Sequence, residues 1–282
     1  MKAFELLEPA TVDEAIALLE PGAPGVCAVA GATALVPMMK ARLFQPTRLV
    51  SLRRIGALRG IRADGNVLHI GALTTLSELE RSAHLQEMAP VMSRALRTLS
   101  NVRIRNVATL GGHLAHGDPH MDLPPILMTL GARVRLVGPR SERWIDVTDL
   151  ARGYYQTAIA DDELIAEVEV TSTPKDARTC YEKFTALSAD DWPTVGAAVW
   201  FRVTGDRIAE ARVAVSAATD RPLRVPAAEA ALNGAPATVD TFRSAGDAAA
   251  ESVEPLADIR GTAAYKREMV RVHVRRALEK AR

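Results

Sequence analysis

Arg105-Asn106-Val107-Ala108-Thr109-Leu110-Gly111-Gly112-His113-Leu114-Ala115-His116-Gly117-Asp118-Pro119-His120-Met121-Asp122-Leu123-Pro124 is the most informative stretch of this 282-residue chain. Its glycine pair has a counterpart upstream, Ala30-Gly31-Ala32-Thr33-Ala34, which enters an apolar helix. Glycine lets the main chain approach a bulky anion, and a helix start offers N–H groups that favour negative charge. Each run therefore reads as a phosphate clamp, and two clamps point to one ligand with two phosphates.

Length and charge agree with a small-molecule protein. The chain is long enough for one or two domains with a real core. Its 35 Lys and Arg balance 34 Asp and Glu, so the total gives no reason to expect nucleic acid or anionic membrane as partner. Met1 opens no charged-then-apolar leader and the apolar runs, such as Gly196 to Trp200, are too short for a membrane span, so the expected location is cytoplasmic. Only Cys27 and Cys180 are present, too few and too far apart for zinc-ribbon spacing or an iron–sulfur cluster held by this chain alone. They read as two buried thiols.

Around the clamps the pattern is α+β. Thr11 and Glu14 form a capping box before a first helix, Val26 to Ala30 reads as a strand, and Pro37 sits early in a helix reaching Arg42. Short strands follow at 48–52, 58–62 and 67–70, then a helix announced by Ser77 and Glu80 and another over 90–99. His113 and His116 fall in what reads as a loop, and a helix from Asp122 is stopped by Gly131. A hairpin surrounds Gly138-Pro139, and Leu164 to Val170 alternates as a strand. A domain boundary is expected near 172–175, giving domains 1–172, with lobes of about 1–55 and 56–172, and 176–282. Beyond it, Trp192 to Val203 and Ile208 to Ala217 read as strands, and 226–232, 239–252 and 262–280 as Ala-rich helices.

Several chemistries lack their signatures. No Gly-x-Gly-x-x-Gly joins a strand to a helix, and no Walker lysine pattern occurs. His113, His116, Asp118, His120 and Asp122 crowd together, yet Pro119 breaks any common helix face and the spacing matches no standard zinc site. The favoured reading is a polar groove lining, with Asp122 accepting from sugar hydroxyls and no metal.

From Ala28 to Val170 the chain resembles the FAD-binding medium subunit of the molybdenum hydroxylases, the family of xanthine dehydrogenase and aerobic carbon monoxide dehydrogenase. The family's Ala-Gly-Gly-x-Ser run before a Leu-x-Pro-x-x-Lys helix start is matched by Ala30 to Ala34 with Leu35, Pro37 and Lys40. Its Arg-Asn-x-x-Thr-Ile-Gly-Gly-Asn-Leu-Ala signature and the following Asp-Pro-x-x-Asp-Leu-Pro are matched by Arg105 to Ala115 and Asp118 to Pro124. Glu182-Lys183-Phe184, Asp191-Trp192 and Arg260 to Arg267 resemble the family's C-terminal domain. Ala32, Ala34 and His113 depart from the family's glycine, serine and asparagine.

The resemblance implies a two-lobed FAD domain of vanillyl-alcohol-oxidase/PCMH type followed by a small sheet with helices. It implies FAD as cofactor, with electrons arriving from a small two-cluster iron–sulfur subunit and hydroxylation on a large molybdenum subunit, commonly in a dimer of heterotrimers. Ala30, Gly31, Ala32, Thr33, Ala34, Thr109, Gly111, Gly112 and His113 would hold the diphosphate and neighbouring atoms. Asp122 would hold a hydroxyl, Ile165 would pack near the ring or ribityl chain, Lys183 would bring positive charge to the flavin carbonyl edge, and Trp192 would cover one flavin face. No residue is expected to act as general acid or base. A stand-alone flavin oxidoreductase, and a scaffold that has lost FAD, are the alternative readings.

Overall fold

The computed structural model describes residues 2–282. Its first lobe runs β1 (Glu5–Leu7), α1 (Val12–Ala17), β2 (Val26–Val29), α2 (Leu35–Lys40) and β3 (Arg48–Ser51), with the strands in a parallel sheet ordered β1-β3-β2. The Thr11 hydroxyl accepts from the Glu14 N–H while the Glu14 carboxylate accepts from the Thr11 N–H, which is the expected capping box. α2 ends short of the expected Arg42, whose left-handed backbone (φ 61°) turns the chain away.

The second lobe holds β4 (Ile61–Asp64), β5 (Val67–Gly71), α3 (Leu76–Arg81), α4 (Ala83–Met88), α5 (Pro90–Leu96), α6 (Val102–Arg105), α7 (Leu110–Ala115) and α8 (Leu123–Thr129). β6 (Arg133–Val137), β7 (Glu142–Asp146), β8 (Ala151–Gly153), β9 (Gln156–Thr157) and β10 (Leu164–Thr171) complete it. Its main sheet is antiparallel, ordered β4-β5-β10-β6-β7. The two-residue alternation of strands puts Leu68, Ile70, Val134, Leu136, Val168 and Val170 on the face covered by helices. Three local expectations fail here. The cap of α3 is Thr75 with Glu78, two residues before the expected pair. Leu58 lies in a 3₁₀ turn and β4 starts at Ile61. His113 belongs to α7 and His116 caps its C-terminus, because Thr109 starts a helix that the glycine pair masks.

The C-terminal domain is an antiparallel sheet, β11 (Ala177–Phe184), β12 (Val195–Thr204), β13 (Arg207–Ser216) and β14 (Leu223–Arg224), packed against α9 (Pro226–Leu232), α10 (Val239–Ser252) and α11 (Ala263–Ala281). β12 is buried on both faces. Val195, Ala197, Val199 and Phe201 meet the three helices, while Ala198 and Trp200 join the core of the second lobe. That second contact carries β11 to the lobe's helices. The α+β architecture is as expected, although β11 itself is not anticipated and Trp192 lies in the loop before β12 rather than in a strand.

Candidate functional site

The two glycine runs meet at the junction of the lobes. A Cβ on Gly31 would lie 2.8 Å from the Val107 carbonyl carbon and 3.0 Å from the Ala108 Cα, so glycine here lets backbone touch backbone. The runs thus border one groove of about 350 Å³, whose walls include Ala108, Asp122, Lys183 and Trp192.

The first run is the one that leaves its backbone donors unpaired. Among the described residues, nothing accepts from the backbone N–H groups of Ala32, Thr33, Ala34 or Leu35. Ala32 is left-handed (φ 57°) and Ala34 is right-handed at the start of α2. The reversal of hand between Ala32 and Ala34, across Thr33, curves this segment as in the concave backbone nests that suit an anion. Ala32 keeps this backbone although it lacks glycine's freedom. Ala32→Gly is therefore expected to raise stability by about 0.5–1 kcal/mol, the relief of a strained Cβ less the added freedom of the unfolded chain, as read by urea denaturation. Unchanged or lower stability would contradict strain at this position.

The second run differs, and the two clamps are not equivalent. The N–H groups of Leu110 and Gly111 donate to Thr74 and Ala72 carbonyls at 3.0 and 2.8 Å, and that of His113 to the Thr109 carbonyl at 2.9 Å. The Gly112 N–H donates to the Thr109 hydroxyl at 3.2 Å. These groups close the first turn of α7 and tie it to the β5–α3 connection. Gly111 packs on Ala72, whose methyl an added Cβ would meet at 2.7 Å, whereas Gly112 faces Ala30 and the groove. The second run offers the groove shape rather than free donors.

His113 is buried and neutral. Burial pushes its pKa down to about 3, helped by the neighbouring His116, and Nε2 accepts from the Leu123 N–H at 3.4 Å. It fixes the entry to α8. At that entry Asp122 and Lys183 form an ion pair at 3.1 Å, with side chains only 7 and 8 % exposed. The Tyr181 hydroxyl donates to the other Asp122 oxygen at 2.6 Å, and the Lys183 ammonium also donates to the Thr98 carbonyl at 3.1 Å. Burial pushes the Asp122 carboxyl up, an effect that Lys183 and Tyr181 only partly offset. One ammonium proton and further carboxylate lone pairs remain for a ligand. Tyr181 is the site residue that the sequence did not reveal. It projects from β11 on the same face as Lys183, and Gly196, the register partner of Lys183, leaves the space its hydroxyl occupies, since an added Cβ there would lie 2.7 Å from that oxygen.

Trp192 is 42 % exposed at the groove edge, stacked on His120 with ring centroids 5.7 Å apart and overlain by the Arg260 guanidinium. Ile165 lies elsewhere. It lines a second groove of about 330 Å³ with Leu19, Leu73 and Gly111, reached behind the Ala30–Gly112 contact. Cys27 borders both grooves, and burial pushes its thiol and that of Cys180 up to about 11, so neither is a thiolate near neutral pH. On the outer sheet face His69 lies between Glu167 at 3.0 Å and Glu169 at 3.5 Å, in register with Arg62, Arg133 and Arg135. That arrangement is an alternating charge ladder.

The chain is similar along its whole length to known proteins. The family model for the FAD binding domain in molybdopterin dehydrogenase matches residues 2–172, and that for the CO dehydrogenase flavoprotein C-terminal domain matches residues 179–281. The carbon monoxide dehydrogenase medium chain of Hydrogenophaga pseudoflava is 34% identical over 278 residues, covering 99% of this chain and 96% of that one. The nicotine 6-hydroxylase medium subunit of Paenarthrobacter nicotinovorans is 32% identical, covering 100% and 98%. A solved structure of the Hydrogenophaga pseudoflava carbon monoxide dehydrogenase, lacking the Mo-pyranopterin moiety, superposes with a TM-score of 0.96 at 36% identity, covering 99% of this chain and 97% of that one.

Proposed function

The chain belongs to the FAD-binding medium subunits of the molybdopterin dehydrogenases, and we propose that it holds FAD across this groove through the nest of Ala32 to Leu35. In this reading it passes electrons from iron–sulfur clusters on a small partner to an external acceptor, while hydroxylation takes place at molybdenum on a large partner, in a dimer of heterotrimers. No helix among the described residues is long and apolar enough to cross a membrane, in keeping with a cytoplasmic assembly.

The observation that carries the reading is the row of four N–H groups without protein acceptors beside a buried carboxylate–ammonium pair. The former would take the diphosphate, the latter a hydroxyl and a carbonyl edge. When bound, FAD supplies the redox chemistry, and the protein binds, orients and tunes it. Lys183 sets positive charge in the groove wall, and Trp192 narrows the mouth against water. Ile165, in the adjoining groove, would pack against an end of the cofactor reaching past Gly112. The departure at Ala32 leaves the cradle intact, which favours FAD retention over a scaffold role.

Titration of the purified chain with FAD and with FMN, followed by chromatography of acid-released flavin, tests this. One equivalent of FAD, bound in preference to FMN, is expected. Folded protein that takes up neither flavin, alone or coexpressed with its partners, would reject the reading.

A further inference from the structure

Beside the groove, and outside the residues given roles above, runs a buried charged network. His120 is 4 % exposed and Asp118 and Lys266 are 1 % exposed. His120 Nδ1 lies 2.8 Å from an Asp118 oxygen and Nε2 lies 3.1 Å from Asp258. Asp118 also accepts from the Tyr155 hydroxyl at 3.0 Å, and Asp258 from the Lys266 ammonium at 2.8 Å. Lys266 in turn donates to the carbonyl of Ala217, whose own N–H donates to Pro119. An ionised carboxylate only accepts, and a neutral imidazole has one N–H, so only an imidazolium satisfies both neighbours. Asp118 lies in the FAD-binding domain and Asp258 in the C-terminal domain, so the ring bridges them.

The same ring stacks on Trp192, with planes 15° apart. A cation within about 6 Å of an indole centroid is attracted to it. The surroundings are strained as well as charged. Tyr155 and Ala217, at the two ends of the network, both have left-handed backbones (φ 55° and 66°), which non-glycine residues keep only where neighbours hold them.

We propose that His120, held as an imidazolium between Asp118 and Asp258, is a positioning residue for Trp192: it fixes the indole at the groove mouth and makes that position depend on the docking of the C-terminal domain. His120 occupies one of the unspecified positions of the Asp-Pro-x-x-Asp run. Its consequence for flavin rests on the FAD reading above, but the positioning itself does not. The groups that meet the ring are Asp118 after α7, Tyr154 in the β8–β9 turn, Asp258 before α11 and Trp192, while His116 and Tyr155 stand against Asp118, Lys266 against Asp258 and Arg260 over Trp192.

The test is acrylamide quenching of Trp192 emission in the flavin-free full chain, obtained as the difference between each protein and its Trp192→Phe counterpart. His120→Gln is expected to raise the Trp192 quenching constant about 2–5-fold, the population change for loss of a modest cation–π attraction. Circular dichroism melting establishes that the variant is folded; if it is not, Asp258→Asn, which keeps the ring and one carboxylate, decides by the same readout with a smaller rise. A folded variant whose Trp192 is quenched like the wild type overturns the proposal. Because no flavin is present, failure of FAD binding would leave this result standing, and normal FAD binding with an unmoved Trp192 would reject this inference alone.

Discussion

Lys183→Met is expected to destabilise the protein by about 3–5 kcal/mol near neutral pH, because it leaves the Asp122 carboxylate buried without its cation. The loss has a ceiling. Once ionisation is dearer than protonation, Asp122 takes up a proton, which at pH 7 costs a carboxyl of ordinary pKa about 4 kcal/mol. The folded variant then binds one proton more than the unfolded chain between the ordinary carboxylate range and neutrality. Stability must therefore fall as pH rises, by about 1.4 kcal/mol per pH unit, and lowering the pH from 7 to 5 should restore roughly 2.7 kcal/mol relative to wild type.

The wild type carries the same sign in weaker form, since burial outweighs Lys183 and holds the Asp122 pKa above its ordinary value. Adding Asp122→Asn to Lys183→Met removes the charge altogether and should recover most of the stability while abolishing the slope. Denaturant melts of the single and double variants at pH 5, 6 and 7 decide the matter. A Lys183→Met slope equal to that of the double variant would mean that the pair is solvated and not the buried ion pair described above. FAD affinity, by contrast, should stay low in both variants, because the double variant regains fold but not the ammonium and carboxylate proposed to face the ligand. Stability and binding thereby separate at one site.

Much of the fold is legible in short-range chemistry. Thr11 with Glu14, Gly131 after α8 and the alternation of Leu164 to Val170 each specify an element through contacts a few residues away. β11 is not legible in this way. Arg178, Glu182 and Lys183 make it read as a polar connection, and its strand form depends on pairing with β12 and on long-range partners for those charges: Lys280 for Glu182 and Asp122 for Lys183. The same dependence hides Tyr181, which enters the site only because β11 crosses to the second lobe. The glycine runs show the reverse difficulty. Gly31 and Gly112 look alike in sequence, but one serves contact between lobes and the other faces the groove, a distinction set entirely by tertiary packing.

That distinction is open to a direct test through three alanine substitutions. Gly31→Ala drives a methyl into the Val107–Ala108 backbone on the facing lobe, where no side chain can swing aside. Overpacking of this kind costs about 1–3 kcal/mol, and the lobes relieve it by moving the first run off the second. If two of the four cradle N–H groups lose alignment, each a hydrogen bond to a charged group contributing about 1.5–3 kcal/mol, FAD affinity should fall by roughly 10²–10⁴-fold. Gly111→Ala meets the Ala72 methyl at 2.7 Å and should lower stability with a smaller effect on binding. Gly112→Ala is the informative contrast. Its methyl approaches only the Thr109 hydroxyl, at 3.0 Å, and Ala30, at 3.8 Å, while alanine is favoured over glycine inside α7 by about 1 kcal/mol. Stability should hold or rise, yet the methyl stands in the groove between the runs and FAD affinity should drop. Thermal melts beside FAD titrations of the three variants measure both quantities. Equal affinity losses in all three, each tracking its loss of stability, would show that the glycines act through the fold alone; affinity lost at Gly112 with stability intact would place the ligand against the second run.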